Sequence, residues 1–173
     1  WSWNESWQAR RMPEIRVGQG FDIHPFSDDP DRRMVLGGVS FDGPGLVGHS
    51  DADAVAHAVI DALLGAAGLG DIGQRYPDTD PAQAGADSMA LLADTVAAIR
   101  GDGWEVANVD CTVVLEAPRL APRRDEMSDA LTEVVGAQVS VKGRRAEGLG
   151  AIGRREGVAC FAVALLQRDG TLA

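Results

Sequence analysis

The chain has 173 residues, 16 basic against 26 acidic for a formal net charge of -10, and 45% of it is hydrophobic. That length and apolar fraction suit one domain burying roughly two-thirds of its unfolded surface without disulfide staples. The acidity, with basic residues dispersed or in short pairs, argues against nucleic acid or an anionic membrane as partner, no apolar run reaches ~20 residues, and a cytoplasmic setting is expected.

Residues 1–14 read as a tail, tag or linker: residues 1–11 hold three of the four tryptophans with no strand or helix period, and Met12-Pro13 looks like a natural start. A single domain over residues 15–169 and a short tail over 170–173 are expected. From Ile15 the run Ile-Arg-Val-Gly-Gln-Gly-Phe-Asp-Ile-His alternates, which predicts a half-buried strand with Asp22 and His24 on one face. Gly18 and Gly20 lack a third glycine and a following helix, so close backbone approach is preferred over dinucleotide binding. Residues 26–33 form a polar loop, and 34–39 a second strand with a turn. Ser50, with Asp53 three residues later, reads as the N-cap of an apolar helix over 52–64 that Gly65 and Gly68 stop. Asp53, His57 and Asp61 follow at i, i+4 and i+8, which predicts one shared helix face.

Residues 70–81 carry too many Gly, Pro and Asp for a regular element and read as a shaped loop that touches substrate. Their aspartates do not follow calcium-loop spacing. A second helix over 88–100 ends at Gly101 and Gly103, and a strand covers 106–115. Pro118 and Pro122 bound a short loop with Arg119, Arg123 and Arg124 nearby, before a third helix over 124–135. A strand over 139–142 leads to the glycine-rich segment 147–153, and 158–167 is a final buried strand. The order β-β-α-α-β-α-β-β predicts an α/β (α+β) single domain, a mixed β-sheet with helices packed on one face. Cys111 and Cys160 lie in apolar surroundings without a CxxC pairing and read as reduced, buried and inert.

All three histidines stand among carboxylates: Asp22-Ile-His24, His49-Ser-Asp-Ala-Asp53, and His57. Neutral imidazole and carboxylate are ordinary ligands of a cation such as zinc, and a catalytic zinc site needs three such groups with one position open. A ligand histidine with a carboxylate one turn away also matches the need to orient the ring. The plainer readings are a polar edge strand for Asp22 and His24, and favourable or solvated charge on the helix for Asp51, Asp53 and Asp61. Arg144-Arg145 and Arg154-Arg155 are clustered positive charge near glycine-rich backbone, suited equally to phosphate and to solvent. No serine or cysteine is followed by recognisable triad partners, which disfavours a covalent nucleophile.

Gly18-Gln-Gly-Phe-Asp-Ile-His24, Gly48-His-Ser-Asp-Ala-Asp53, Asp61-Ala-Leu-Leu-Gly-Ala-Ala67, Gly70-Asp-Ile-Gly73, Pro77-Asp-Thr-Asp80, Gly85-Ala-Asp-Ser88, Glu116-Ala-Pro-Arg119 and Arg154-Arg-Glu-Gly157 together resemble the 2-C-methyl-D-erythritol 2,4-cyclodiphosphate synthase family. The likeness covers about residues 15–167 in order. It implies an enzyme of the non-mevalonate isoprenoid pathway that cyclises 4-(cytidine 5'-diphospho)-2-C-methyl-D-erythritol 2-phosphate and releases CMP. It also implies a homotrimer with active sites between subunits. On this resemblance Asp22, His24 and His57 hold zinc, and Glu147 holds a second divalent cation, magnesium or manganese. His49 and Ser50 contact substrate phosphate, with His49 and Arg145 at the catalytic positions. Asp71, Ile72 and Gly73, with Tyr76, Pro77, Asp78, Thr79 and Asp80, hold the methylerythritol part. Leu115, Ala117, Pro118, Arg119, Leu120 and Ala121 form the cytidine pocket, and Arg144, Arg145, Ala146 and Arg154 complete the substrate contacts.

Two positions depart from the family pattern. Arg145 stands where many members carry a threonine of a threonine-rich run, and Ala151 stands where a phenylalanine is usual near the trimer channel, leaving Arg154 and Glu156 as polar groups there. Two rival functions follow from the same residues: a non-catalytic trimeric binding module, or a metal-dependent phosphohydrolase with water as attacker.

Overall fold

Strand β1 (Glu14–Pro25) sets the frame: Gly18, Gly20, Asp22 and His24 face the protein, while Ile15, Val17, Phe21 and Ile23 face outward and are exposed. The computed structural model describes residues 12–169, so the assignments made for residues 1–11 and 170–173 lie outside the described residues. β1 is the edge of a four-stranded sheet, followed in space by β6 (Gly157–Arg168), β4 (Glu105–Val114) and β5 (Val139–Arg144). The β1–β6 and β6–β4 pairs are antiparallel and β4–β5 is parallel, which makes the sheet mixed. β2 (Met34–Leu36) and β3 (Val39–Phe41) form a separate two-stranded hairpin: the strand with a turn expected over 34–39 turns at Gly37-Gly38 and returns as a second short strand to Phe41.

Helix α1 (Ala54–Ala67) packs on β1 and β6, and α4 (Arg124–Val135) on β5; α3 (Ser88–Gly101) contacts both helices. The core between them includes Ile60, Leu63, Leu92, Ile99, Met127 and Leu131, all fully buried. Two short α-helices lie in segments read as irregular, α2 (Ile72–Arg75) within the loop expected over 70–81 and α5 (Gly150–Gly153) within the glycine-rich segment, and single 3-10 turns occur at Pro81–Gln83 and Ala121–Arg123. Among the described residues no helix is long and apolar enough to cross a membrane.

The closeness of α1 to β1 follows from the two strand glycines. A Cβ added at Gly18 would lie 1.9 Å from the Ala62 carbonyl oxygen, and one at Gly20 would lie 1.9 Å from that of Ala58. With alanines on the facing turns of the helix, no side-chain layer separates helix from strand. The same strand face continues past the glycines to Asp22 and His24, and this seating delivers His57 to them.

The start of α1 differs from the expectation. Ala52 has a positive φ of 58° and Asp53 is the N-cap, at φ -65° and ψ 93°, so neither belongs to the helix. The Asp53 Oδ1 accepts from Val55 N at 3.0 Å and Ala56 N at 3.1 Å, and the same fully buried carboxylate accepts from Gly37 N at 2.8 Å and Gly38 N at 2.7 Å. Asp53 therefore locks the β2–β3 turn to the helix and does not share a face with His57, because a cap residue lies outside the helical repeat. Gly65 sits inside the helix, which ends at Gly68 in the left-handed conformation. Cys111 and Cys160 are buried, free thiols, as expected.

Candidate metal centre and substrate cavities

Asp22, His24 and His57 converge. Asp22 Oδ2 lies 2.8 Å from His24 Nε2 and 3.2 Å from His57 Nδ1, and the two ring nitrogens are 3.3 Å apart. Each side chain is at least three-quarters buried, with exposures of 24%, 16% and 12% in chain order. His24 Nδ1 is 2.7 Å from the Val47 carbonyl oxygen. A carbonyl only accepts, so Nδ1 carries the proton and the Nε2 lone pair turns to the cluster.

This donor set fits a cation. Two imidazole nitrogens and one carboxylate oxygen, with ligand atoms all within 4.8 Å of one another, are the group that could hold a metal ion, and their chemistry suits zinc with one position left open. The electrostatics agree. Burial pushes the Asp22 carboxyl up, but the His24 and His57 rings against it outweigh burial and hold the group well below the usual carboxylate range. For His24, burial pushes the other way, and the bond to Asp22 leaves its pKa raised.

The far side of the His57 ring meets hydroxyls. Nε2 lies 2.8 Å from Ser88 Oγ and 3.1 Å from Ser50 Oγ, and Ser88 in turn bonds to Asp51 through its hydroxyl and, at 3.2 Å, through its backbone N–H. Asp61, expected to stand beside His57 as the orienting carboxylate, instead accepts from Ile72 N at 2.8 Å and ties α2 to α1. Sequence reasoning placed Ser88 and Asp51 in shared motifs, at a helix start and as helix-terminal charge, but gave neither a role at the site; nothing local pairs two residues 37 positions apart.

A cavity of about 320 Å³ opens over the metal cluster. Of the residues named from sequence it gathers Asp22, His24, His49, Ser50 and His57 with Ile72, Gly73, Tyr76 and Asp78, and it adds Gln83 and Leu91. His49 is exposed and Ser50 is buried. The Tyr76 hydroxyl is committed to α3, with Asp94 Oδ2 at 2.7 Å, Thr95 Oγ1 at 2.9 Å and the Leu91 carbonyl at 3.0 Å. Asp71 caps α2, accepting from Gln74 N at 2.8 Å. Pro77, Thr79 and Asp80 belong to the same loop without lining the cavity.

A second cavity, of about 350 Å³, lies at the ends of β4 and β5. The expected Leu115, Pro118, Arg119, Leu120, Ala121, Arg144 and Arg145 line it, joined by Glu116, Arg124, Lys142 and Gly143. Five of these carry positive charge, a local reversal of the acidic whole. Arg145 donates to Glu116, whose side chain is only 5% exposed. Ala117, Ala146 and Glu147 do not line this cavity; Glu147, at φ 53°, stands exposed in the loop after β5. Arg154 pairs with Glu156 at 2.7 Å. The two cavities share no residue, so one chain does not bring His49 and Arg145 together.

Comparison with known proteins places this geometry among others. Residues 15–167 match the YgbB family. The bifunctional enzyme IspD/IspF of Anaeromyxobacter dehalogenans is 52% identical over 166 residues, which cover 93% of this chain and 42% of that protein. The 2-C-methyl-D-erythritol 2,4-cyclodiphosphate synthase of Thermosynechococcus vestitus is 50% identical over 160 residues, covering 90% of this chain and 98% of that one. Among solved structures, the CDP complex of IspF from Plasmodium falciparum superposes with a TM-score of 0.78 at 32% identity, covering 90% of this chain and 97% of its own. The chain thus spans about two-fifths of the length of the bifunctional relatives it matches.

Proposed function

Because the chain belongs to the YgbB family, we propose that it converts 4-(cytidine 5'-diphospho)-2-C-methyl-D-erythritol 2-phosphate to 2-C-methyl-D-erythritol 2,4-cyclodiphosphate and CMP. The observation that carries this reading is the convergence of Asp22, His24 and His57 beside His49 and Ser50 in one cavity, in a chain half identical to synthases of that name.

Asp22, His24 and His57 would hold zinc, and Glu147 a second divalent cation, magnesium or manganese. When bound, these cations supply positive charge that offsets the phosphates and stabilises the departing CMP oxygen. The remaining work falls to the chain. His49 and Ser50 hold phosphate oxygens beside the cluster, and the loop from Asp71 to Asp80 encloses the methylerythritol unit. Backbone groups of residues 115–121 receive the cytidine, with Arg119 and Arg144 near the diphosphate. An oxygen of the substrate's 2-phosphate forms a bond to the β-phosphorus as the bond from that phosphorus to the CMP oxygen breaks, so no protein nucleophile is needed. Catalysis is then positioning and charge neutralisation in a preorganised site.

The proposed assembly is a homotrimer in a cytoplasmic setting. Ile15, Val17, Phe21 and Ile23 of β1 with Phe161 and Val163 of β6 leave an apolar sheet face exposed, the kind of surface that proteins cover with a partner. In such an assembly the histidine cavity of one chain would be completed by the arginine cavity of the next, since one chain does not bring His49 and Arg145 together. The pairing of Arg145 with Glu116 favours a role in shaping the cytidine pocket over direct contact with the reacting phosphates.

The test is incubation of purified protein with the cytidine-diphospho substrate, zinc and magnesium, followed by phosphorus NMR. CMP and the cyclic diphosphate should appear in equal amounts. Their absence from folded, zinc-loaded trimer would overturn the proposal.

A further inference from the structure

His57 presents Nδ1 to the cluster, whereas His24 presents Nε2, and only His24 has its outer nitrogen held by a backbone carbonyl. The outer nitrogen of His57 meets hydroxyls, which donate or accept, so its proton is decided one bond further out. Asp51 decides it. Its carboxylate accepts both the Ser88 backbone N–H and the Ser88 hydroxyl. With its proton directed to Asp51, the Ser88 oxygen offers only lone pairs to His57 Nε2, 2.8 Å away. Nε2 then carries a hydrogen, and Nδ1, which faces the Asp22 carboxylate at 3.2 Å, would offer its lone pair to a cation held between the two.

From this chain we infer that Ser88 and Asp51 are positioning residues that fix the tautomer of His57 for metal binding. The two segments are joined independently of these side chains, by Asp51 N to the Ala86 carbonyl at 3.0 Å and Gly85 N to the His49 carbonyl at 2.9 Å. Ser88 is fully buried, so solvent does not substitute for its hydroxyl. Ser50 Oγ lies 3.1 Å from the same Nε2 and accepts from Ala52 N at 3.1 Å. It also lies 3.4 Å from Ser88 Oγ, so the two serines meet the same ring nitrogen and each other, and of the two only Ser88 is bonded to a carboxylate that fixes its proton.

The inference rests on the reading of Asp22, His24 and His57 as metal ligands, and the experiment keeps the two apart. Zinc affinity is measured by chelator competition for the unmodified chain, Ser88→Ala, Ser88→Thr and Asp51→Asn, with circular dichroism as the check of fold. Nitrogen NMR reads the His57 tautomer in zinc-stripped protein. Ser88→Ala should bind zinc roughly 10- to 100-fold more weakly, the usual effect of losing an outer-shell partner. It should also mix the His57 tautomers, while Ser88→Thr keeps the Nε2–H form. Asp51→Asn retains an acceptor and should show a smaller loss in the same direction. Unchanged zinc affinity and tautomer in folded Ser88→Ala and Asp51→Asn would overturn the relay alone. Failure of the unmodified chain to bind zinc would overturn the ligand reading as well.

Discussion

Arg145 donates through both Nε and Nη2 to one oxygen of Glu116, at 3.0 Å and 2.7 Å, across 29 positions of sequence. The arginine ends its reach at a neighbouring carboxylate and braces the loop after β5 against the loop after β4. Glu116→Gln should therefore weaken binding of CDP by roughly two- to fivefold, the scale of an ion pair whose arginine is open to solvent, and leave zinc binding unchanged. Calorimetric titration with CDP and with zinc separately checks both halves.

The Asp53 carboxylate accepts four backbone N–H groups from two elements. Asp53→Ala removes the cap of α1 and strands the amides of Gly37 and Gly38, so a loss of about 3–5 kcal/mol is expected. Urea unfolding should show the midpoint falling with little change in slope. A loss below about 1 kcal/mol would mean that the turn and helix do not depend on this side chain.

Gly20→Ala places a methyl group where the Ala58 carbonyl now lies. The helix must move off the strand, at a cost of at least about 2 kcal/mol, and His57 moves with it. Zinc affinity should fall even though no ligand is altered, which chelator competition measures.

Zinc should raise the thermal midpoint of the chain. At a free concentration one hundred times the dissociation constant the gain is about 2.7 kcal/mol, or roughly 5–10 °C for a domain of this size. His57→Ala should lose most of that rise in differential scanning fluorimetry. A full zinc response from the variant would remove His57 from the ligand set.

Burial pushes the Cys111 thiol up to about 12 from an ordinary value of 9.0, and Cys160 is raised as well. Between those pH values the unfolded thiol has lost its proton and the folded one has kept it, so this group's contribution to stability falls as pH rises from 9.0 toward 12. Since only the thiolate attacks, native protein at pH 9 should resist iodoacetamide at both positions and urea-unfolded protein should not, as mass spectrometry will read.

Much of this was legible in the chain because it is written in local patterns. The alternation from Ile15 gave β1 and put Asp22 and His24 on one face, and the placement of glycine at 18 and 20 implied a close neighbour. The bounds of α1 were less accessible. Ser50 and Asp53 both satisfy a cap pattern, and the choice between them is made by Gly37 and Gly38, whose amides need a carboxylate. Periodicity alone also misassigned Asp61, since a helix face says which way a side chain points and nothing about what loop will come to meet it; Ile72 does. Ser88, Asp51 and Glu116 escaped for the same reason, their partners being remote in sequence.

The direct seating of α1 on two glycines has a consequence for how this protein can change over time. A metal site carried by elements with side chains between them shifts whenever the intervening residues are exchanged. Here the spacing between the strand that carries Asp22 and His24 and the helix that carries His57 is set by backbone against backbone. The rest of the core is then free to be rebuilt, residue by residue, without disturbing the distances among those three side chains.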